Sequence, residues 1–136
     1  QSGDSTRAAE EGFKLLRDPH ACIFPFVVAE VNYLLGMIAA VKPDAVPEKA
    51  IVYFKRGMEA IAKEPVSEIT WKLAYALAHE YYERGQHERA KEFLVKTRLV
   101  LKFFLSHFRS DEMKQRYLAA DQKDRVLATI DSILKP

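Results

Sequence analysis

Apolar residues recur three and four positions apart along most of the chain, the spacing that builds one buried stripe on an α-helix, and strand-type alternation is rare. The longest run is 87–108, where Ala90, Phe93, Leu94, Thr97, Val100, Leu101, Phe104, Leu105 and Phe108 share a face. Val95, Leu99 and Phe103 widen that arc, and the extra stripe is expected to be covered where the C-terminal helices fold back. A helix is predicted over 67–84, with Ser67 as N-cap and Gly85 as the left-handed residue that ends it. Others are predicted at 6–17, 25–41 and 47–63, with Pro25 and Pro47 in first turns, and two shorter ones behind the caps Ser110 and Asp121. Asp18-Pro19, Lys42-Pro43-Asp44 and Pro65 are breaks. The β-branched and aromatic residues of 23–28 also suit a short strand. Helix is preferred there, because an isolated strand would leave its backbone groups unpaired.

A longer period overlies the helical one. Ala9-x-x-x-Phe13, Ala50-x-x-x-Phe54 and Ala90-x-x-x-Leu94 follow one another at intervals of 41 and 40 residues. A second ladder, Leu35-Gly36, Leu77-Ala78 and Leu118-Ala119, is offset by 42 and 41. Small residues on one helix allow a partner to approach closely, and the large residue one turn after the alanine fills the space beside that contact. The unit is therefore a helical hairpin, and stacked hairpins bury faces that a single hairpin leaves bare.

The segment Leu77-Ala78-x-x-Tyr81-x-x-x-Gly85-x-x-x-x-Ala90-x-x-x-Leu94-x-x-Thr97 resembles a tetratricopeptide repeat across both helices and their turn. The preceding copy keeps Leu35-Gly36, Ala50, Phe54 and Gly57, but Ala39 stands at the usual tyrosine and the turn is two residues longer. The period exceeds the common repeat of about 34 residues. It is similar to the extended repeats of kinesin light chains and of bacterial signalling ATPases and kinases. The resemblance implies an all-α fold of about seven helices, with antiparallel hairpins stacked as a short right-handed solenoid in one domain over residues 1–136. Residues 1–5 are expected to be disordered, 6–18 to be the orphan second helix of a partial repeat, and 24–64 a degenerate repeat. Residues 67–108 are the best-matching repeat, and 110–136 a capping hairpin with Lys114, Gln115, Gln122 and Lys123 facing water. The orphan helix and the absent initiating Met favour a piece of a longer protein.

Composition narrows the function classes. The chain has 136 residues, 49% hydrophobic and 29% charged, enough for one core without metals or disulfides and too apolar for a disordered tail. The apolar stretch 21–29 falls short of the roughly 20 residues of a spanning helix, so no membrane role is expected. A net charge of +2 without a basic cluster argues against nucleic acid. A single cysteine, Cys22, and no signal-like N-terminus fit a cytoplasmic setting, and Cys22 is expected to be a buried, inert thiol.

Residues able to carry chemistry are scattered. His20, His79, His87 and His107 do not fall at metal-ligand spacing, and no nucleophile–base pair, paired carboxylates or phosphate loop is visible. No enzymatic activity, cofactor or metal is expected. Tetratricopeptide arrays bind peptides on the face formed by the first helix of each hairpin, and the resemblance carries that role to Glu30, Tyr33, Met37, Lys72, Tyr75, His79 and Tyr82. Those aromatic groups suit a ligand with apolar anchors, although the tyrosines serve equally well as packing against a neighbouring helix. The Lys/Arg/Asn clamp that the best-known subset uses for a C-terminal carboxylate is not present. The expected function is non-catalytic binding of a protein or peptide within a larger signalling or scaffold protein. The alternative is self-association through exposed repeat ends.

Overall fold

A computed structural model describes residues 2–64 and 66–135, all of whose regular structure is helical. Seven longer helices and one single-turn helix follow in order: α1 Ser2–Arg17, α2 Pro19–Cys22, α3 Pro25–Val41, α4 Ala50–Ala60, α5 Glu68–Glu83, α6 His87–Ser106, α7 Asp111–Ala119 and α8 Lys123–Leu134. No strand forms among the described residues, and the apolar 23–28 segment feeds into α3, which Pro25 opens. Helix α1 begins four residues before the predicted position 6, so residues 2–5 are helical; Gln1 and the break at Pro65 lie outside the described residues. Helix α4 is shorter than predicted, starting at Ala50 after an extended Lys49 and ending at Ala60 instead of 63.

Local chemistry accounts for the well-defined ends. The Ser67 hydroxyl accepts from the Thr70 N–H at 3.3 Å and lies 2.7 Å from the Thr70 hydroxyl. At the other end of α5, Gly85 has φ of +76°, and the N–H groups of Gly85 and Gln86 donate to the carbonyls of Tyr82 and Tyr81. Ser110 caps α7 by accepting from the Met113 N–H at 3.1 Å. Asp121 does not cap α8: it takes a left-handed conformation at φ 54°, the N-cap position falls to Gln122 at φ 56°, and no side chain caps there. Two successive left-handed non-glycine residues cost about 1 kcal/mol each, so packing around this kink must hold it.

Helices α3 and α4 pair antiparallel through the small residues of the ladder. A β-carbon on Gly36 would strike the Phe54 ring, and one on Gly57 would come 3.3 Å from the Ala29 carbonyl and 2.9 Å from Leu73 on α5. Close approach at both crossings therefore requires glycine. Helices α5 and α6 repeat the arrangement, with Tyr81 stacked on Phe93 at 5.5 Å and Ala78 buried with Leu94. Leu35, Tyr53, Phe54, Leu73, Leu77 and Ala90 join both hairpins in one core, against which α1 packs through Ala9 and Phe13.

The third rung of the ladder departs from this scheme. Ala119 is exposed and Leu118 only half-buried, and α8 rather than α7 lies alongside α6. Leu127 is buried with Leu101 and Trp71, and Ile130 with Leu94 and Ala78, so α8 runs antiparallel to α6 and in the same sense as α5. The contact leaves the second stripe of α6 uncovered: Val95, Leu99 and Phe103 remain exposed, Leu99 at 65%. Their expected burial fails because α8 packs on α6 through the face of Leu94 and Leu101, with Arg98 meeting Asp131 at 3.3 Å beside that contact.

Candidate functional site: an aromatic groove walled by the C-terminal helix

Helices α3, α5 and α8 enclose a groove of about 430 Å³. Six of the seven residues assigned to the concave face line it: Tyr33 and Met37 from α3, and Lys72, Tyr75, His79 and Tyr82 from α5. Their positions follow from helical spacing, since residues 72, 75, 79 and 82 recur three and four apart and lie beside the buried stripe of Leu73, Ala74, Leu77 and Ala78. Glu30 is exposed one turn before Tyr33 and does not reach the lining. Trp71, Ala76 and Phe54 form much of the floor, and Thr129 and Ile133 of α8 supply a wall that the repeat pattern did not anticipate.

The tyrosines divide by surroundings. Tyr33 packs beside Phe54 with ring centroids 6.0 Å apart, and its phenol is pushed above the ordinary range by burial, then by the charges of Asp121 and Glu30. It therefore stays a neutral hydroxyl donor. Tyr75 is half-buried against the clusters that contain Leu127 and Ile130 of α8, so it serves core and groove together. Tyr82 is largely exposed, with its ring edge-on to His87 at 4.4 Å. Met37 is also exposed, a flexible apolar surface suited to an irregular partner. His79 lies 3.9 Å from Glu83, and Lys72 lies 3.7 Å from Asp121 at the α7–α8 kink.

A polar clasp fixes the α8 wall. The Glu68 carboxylate accepts from Tyr117 Oη at 2.6 Å and Trp71 Nε1 at 3.1 Å, and pairs with Lys123 Nζ at 3.2 Å. The Lys123 ammonium stands 3.8 Å from the Tyr117 ring centroid and 5.8 Å from that of Trp71, a desolvated cation–π arrangement. Burial alone would raise the Glu68 pKa, but hydrogen bonds from Tyr117, Trp71 and Lys123 outweigh it and hold the carboxyl below its ordinary value. Burial and the adjacent carboxylate push the Tyr117 phenol up, so it remains the donor. The expected exposure of Lys123 is thus overturned: the residue is 3% exposed, because its ammonium finds an anion and two aromatic faces. A lysine between Gln122 and Asp124 gives no sequence signal of this, and only the partner spacing across 55 residues could have revealed it.

Elsewhere, Cys22 is exposed rather than buried, because the single-turn α2 sits at the edge of α1; its thiol donates to the Leu16 carbonyl at 3.0 Å. Among the described residues, no three His, Cys, Asp or Glu side chains converge on a metal-sized site, and no helix is long and apolar enough to cross a membrane. The groove presents the aromatic surface of three tyrosines and Trp71, the Met37 thioether and a few charges at the margins. No family model, curated protein or solved structure matches this chain.

Proposed function

We propose that the chain is a non-catalytic interaction module, a tetratricopeptide-like stack of hairpins within a cytoplasmic signalling or scaffold protein, and that it holds an apolar peptide or helical segment in the α3–α5–α8 groove. The observation that carries this reading is the convergence of Tyr33, Met37, Tyr75 and Tyr82 on one open, largely apolar groove bounded by three helices. Large aromatic groups with few rotatable bonds anchor a ligand at low entropic cost, and a neutral phenol fixes its orientation. Substituting Met37 and Tyr82 together by alanine tests it. Both are exposed, so the melting temperature should hold while affinity for an apolar helical peptide falls by about tenfold or more, measured by fluorescence anisotropy. Unchanged affinity in a folded double variant would remove the groove from consideration.

The exposed stripe Val95, Leu99 and Phe103 favours a second reading, self-association through the outer face of α6. Sedimentation velocity over a concentration series decides it: a dimer lost on Leu99→Glu supports the stripe as an interface, and a monomer at every concentration rejects it.

A further inference from the structure

We infer that α8 is an exchangeable arm: two copies of the chain dimerise by each docking its α8 on the α5–α6 face of the other, with the kink at Asp121 and Gln122 as the hinge. The kink has no cause in its own sequence. Residues 111–134 contain no glycine or proline, and Ala119, Ala120, Gln122 and Lys123 are good helix formers, so local preference favours one uninterrupted helix. Instead Ala120 is extended at ψ 134°, and Asp121 and Gln122 take φ of 54° and 56°. What overrides that preference is the seat of α8. Lys123, Leu127 and Ile130 are buried, Asp131 meets Arg98 at 3.3 Å, and Asp121 lies 3.7 Å from Lys72.

None of those contacts requires α8 to come from the same chain. Straightening residues 120–122 turns 111–134 into one helix about 36 Å long, lifts α8 off its own α6 and removes the left-handed strain. Helix α7 can stay behind. Tyr117 packs against Phe104 and Phe108, with ring centroids 6.1 and 5.2 Å apart, and donates to Glu68, so the cradle for an incoming Lys123 remains in place. The vacated face bares Trp71, Leu94 and Leu101, and α8 of a second copy is by construction complementary to it. Exchange is reciprocal, so the assembly closes at two copies. Every contact of the closed arm recurs between the copies, Thr129 and Ile133 included, and each groove keeps its wall.

The test follows the whole chain by sedimentation velocity over a concentration series. Asp121→Ala with Gln122→Ala, both at exposed positions, favours the straight helix and should dimerise about tenfold or more tightly than the wild type. Gln122→Gly accepts the left-handed turn and should dimerise more weakly than the wild type. Pairing then shows whose arm sits where. In the double-alanine background, Arg98→Glu and Asp131→Arg each place like charges together in a homodimer, whereas mixing the two restores opposite pairs across an exchanged dimer. With one chain isotope-labelled, native mass spectrometry should show heterodimers in excess of the statistical half. A double-alanine variant that stays monomeric at every concentration, dimerisation indifferent to the hinge changes, or statistical pairing overturns the inference. A dimer abolished by Leu99→Glu places the contact on the exposed α6 stripe and overturns it as well.

Discussion

The α3–α4 and α7–α8 pairs are both helical hairpins, yet opposite kinds of interaction hold them. In the first, glycines let the backbones close until the Phe54 ring and Leu73 fill the space above them, and nothing charged takes part. In the second, α7 buries no residue completely, and α8 buries Leu127 and Ile130 and is anchored further by the Glu68–Lys123–Tyr117–Trp71 clasp and the Arg98–Asp131 pair. Shape-based packing is non-directional and hard to loosen in part, whereas an ionic clasp fails when one partner changes charge. The hairpins that build the groove floor are therefore its rigid portion, and the wall supplied by α8 is the portion that conditions can move.

Four changes would break or sharpen that contrast. Phe54→Ala should have the largest effect, about 3–5 kcal/mol lost in urea unfolding, because the void lies between backbones that cannot collapse further. The loss should be global, with amide exchange accelerating in α3 to α6 alike. Lys123→Ala should cost less, about 1–3 kcal/mol, and act locally. Exchange in α8 should rise while α3 and α4 stay protected; equal acceleration in all helices would erase the distinction between the two hairpins.

Acid comes next in size. The Glu68 carboxyl lies below its ordinary value in the folded chain, so its contribution is complete above the usual carboxylate range and is lost as pH falls through the depressed folded value. Trp71, the only tryptophan, donates to Glu68 and reports the event: its fluorescence should change on acidification before helicity does, and Glu68→Gln should remove that early step. The smallest effect belongs to the kink. Gln122→Gly should stabilise by about 0.5 kcal/mol, since relief of the left-handed strain slightly exceeds the added freedom of the unfolded chain, and the shift appears as a raised denaturation midpoint.

Much of this architecture is legible in the order of residues, and the exceptions share a cause. Ser67, Ser110 and Gly85 act on neighbours within a few positions, so their roles are encoded locally. The contact of Gly36 with Phe54 follows from the repeat ladder, because both residues recur with it. The groove residues of α3 and α5 share faces that helical spacing alone defines. What escaped was set by distant partners. Lys123 is buried by residues 68, 71 and 117, Val95 and Leu99 stay bare because α8 packs on the Leu94 and Leu101 face of α6, and Thr129 and Ile133 reach the groove only because of the kink at Asp121. Side chains of those types carry no local mark of such company.

The Gly36–Phe54 contact also dictates the order in which the two positions can change through descent. A β-carbon arriving first at position 36 meets a full aromatic ring, whereas a smaller side chain arriving first at position 54 opens a void that a later methyl group can refill. The pair is therefore coupled: Gly36→Ala should destabilise the wild-type chain more than it destabilises a Phe54→Leu background, a difference that a double-mutant cycle in urea reads.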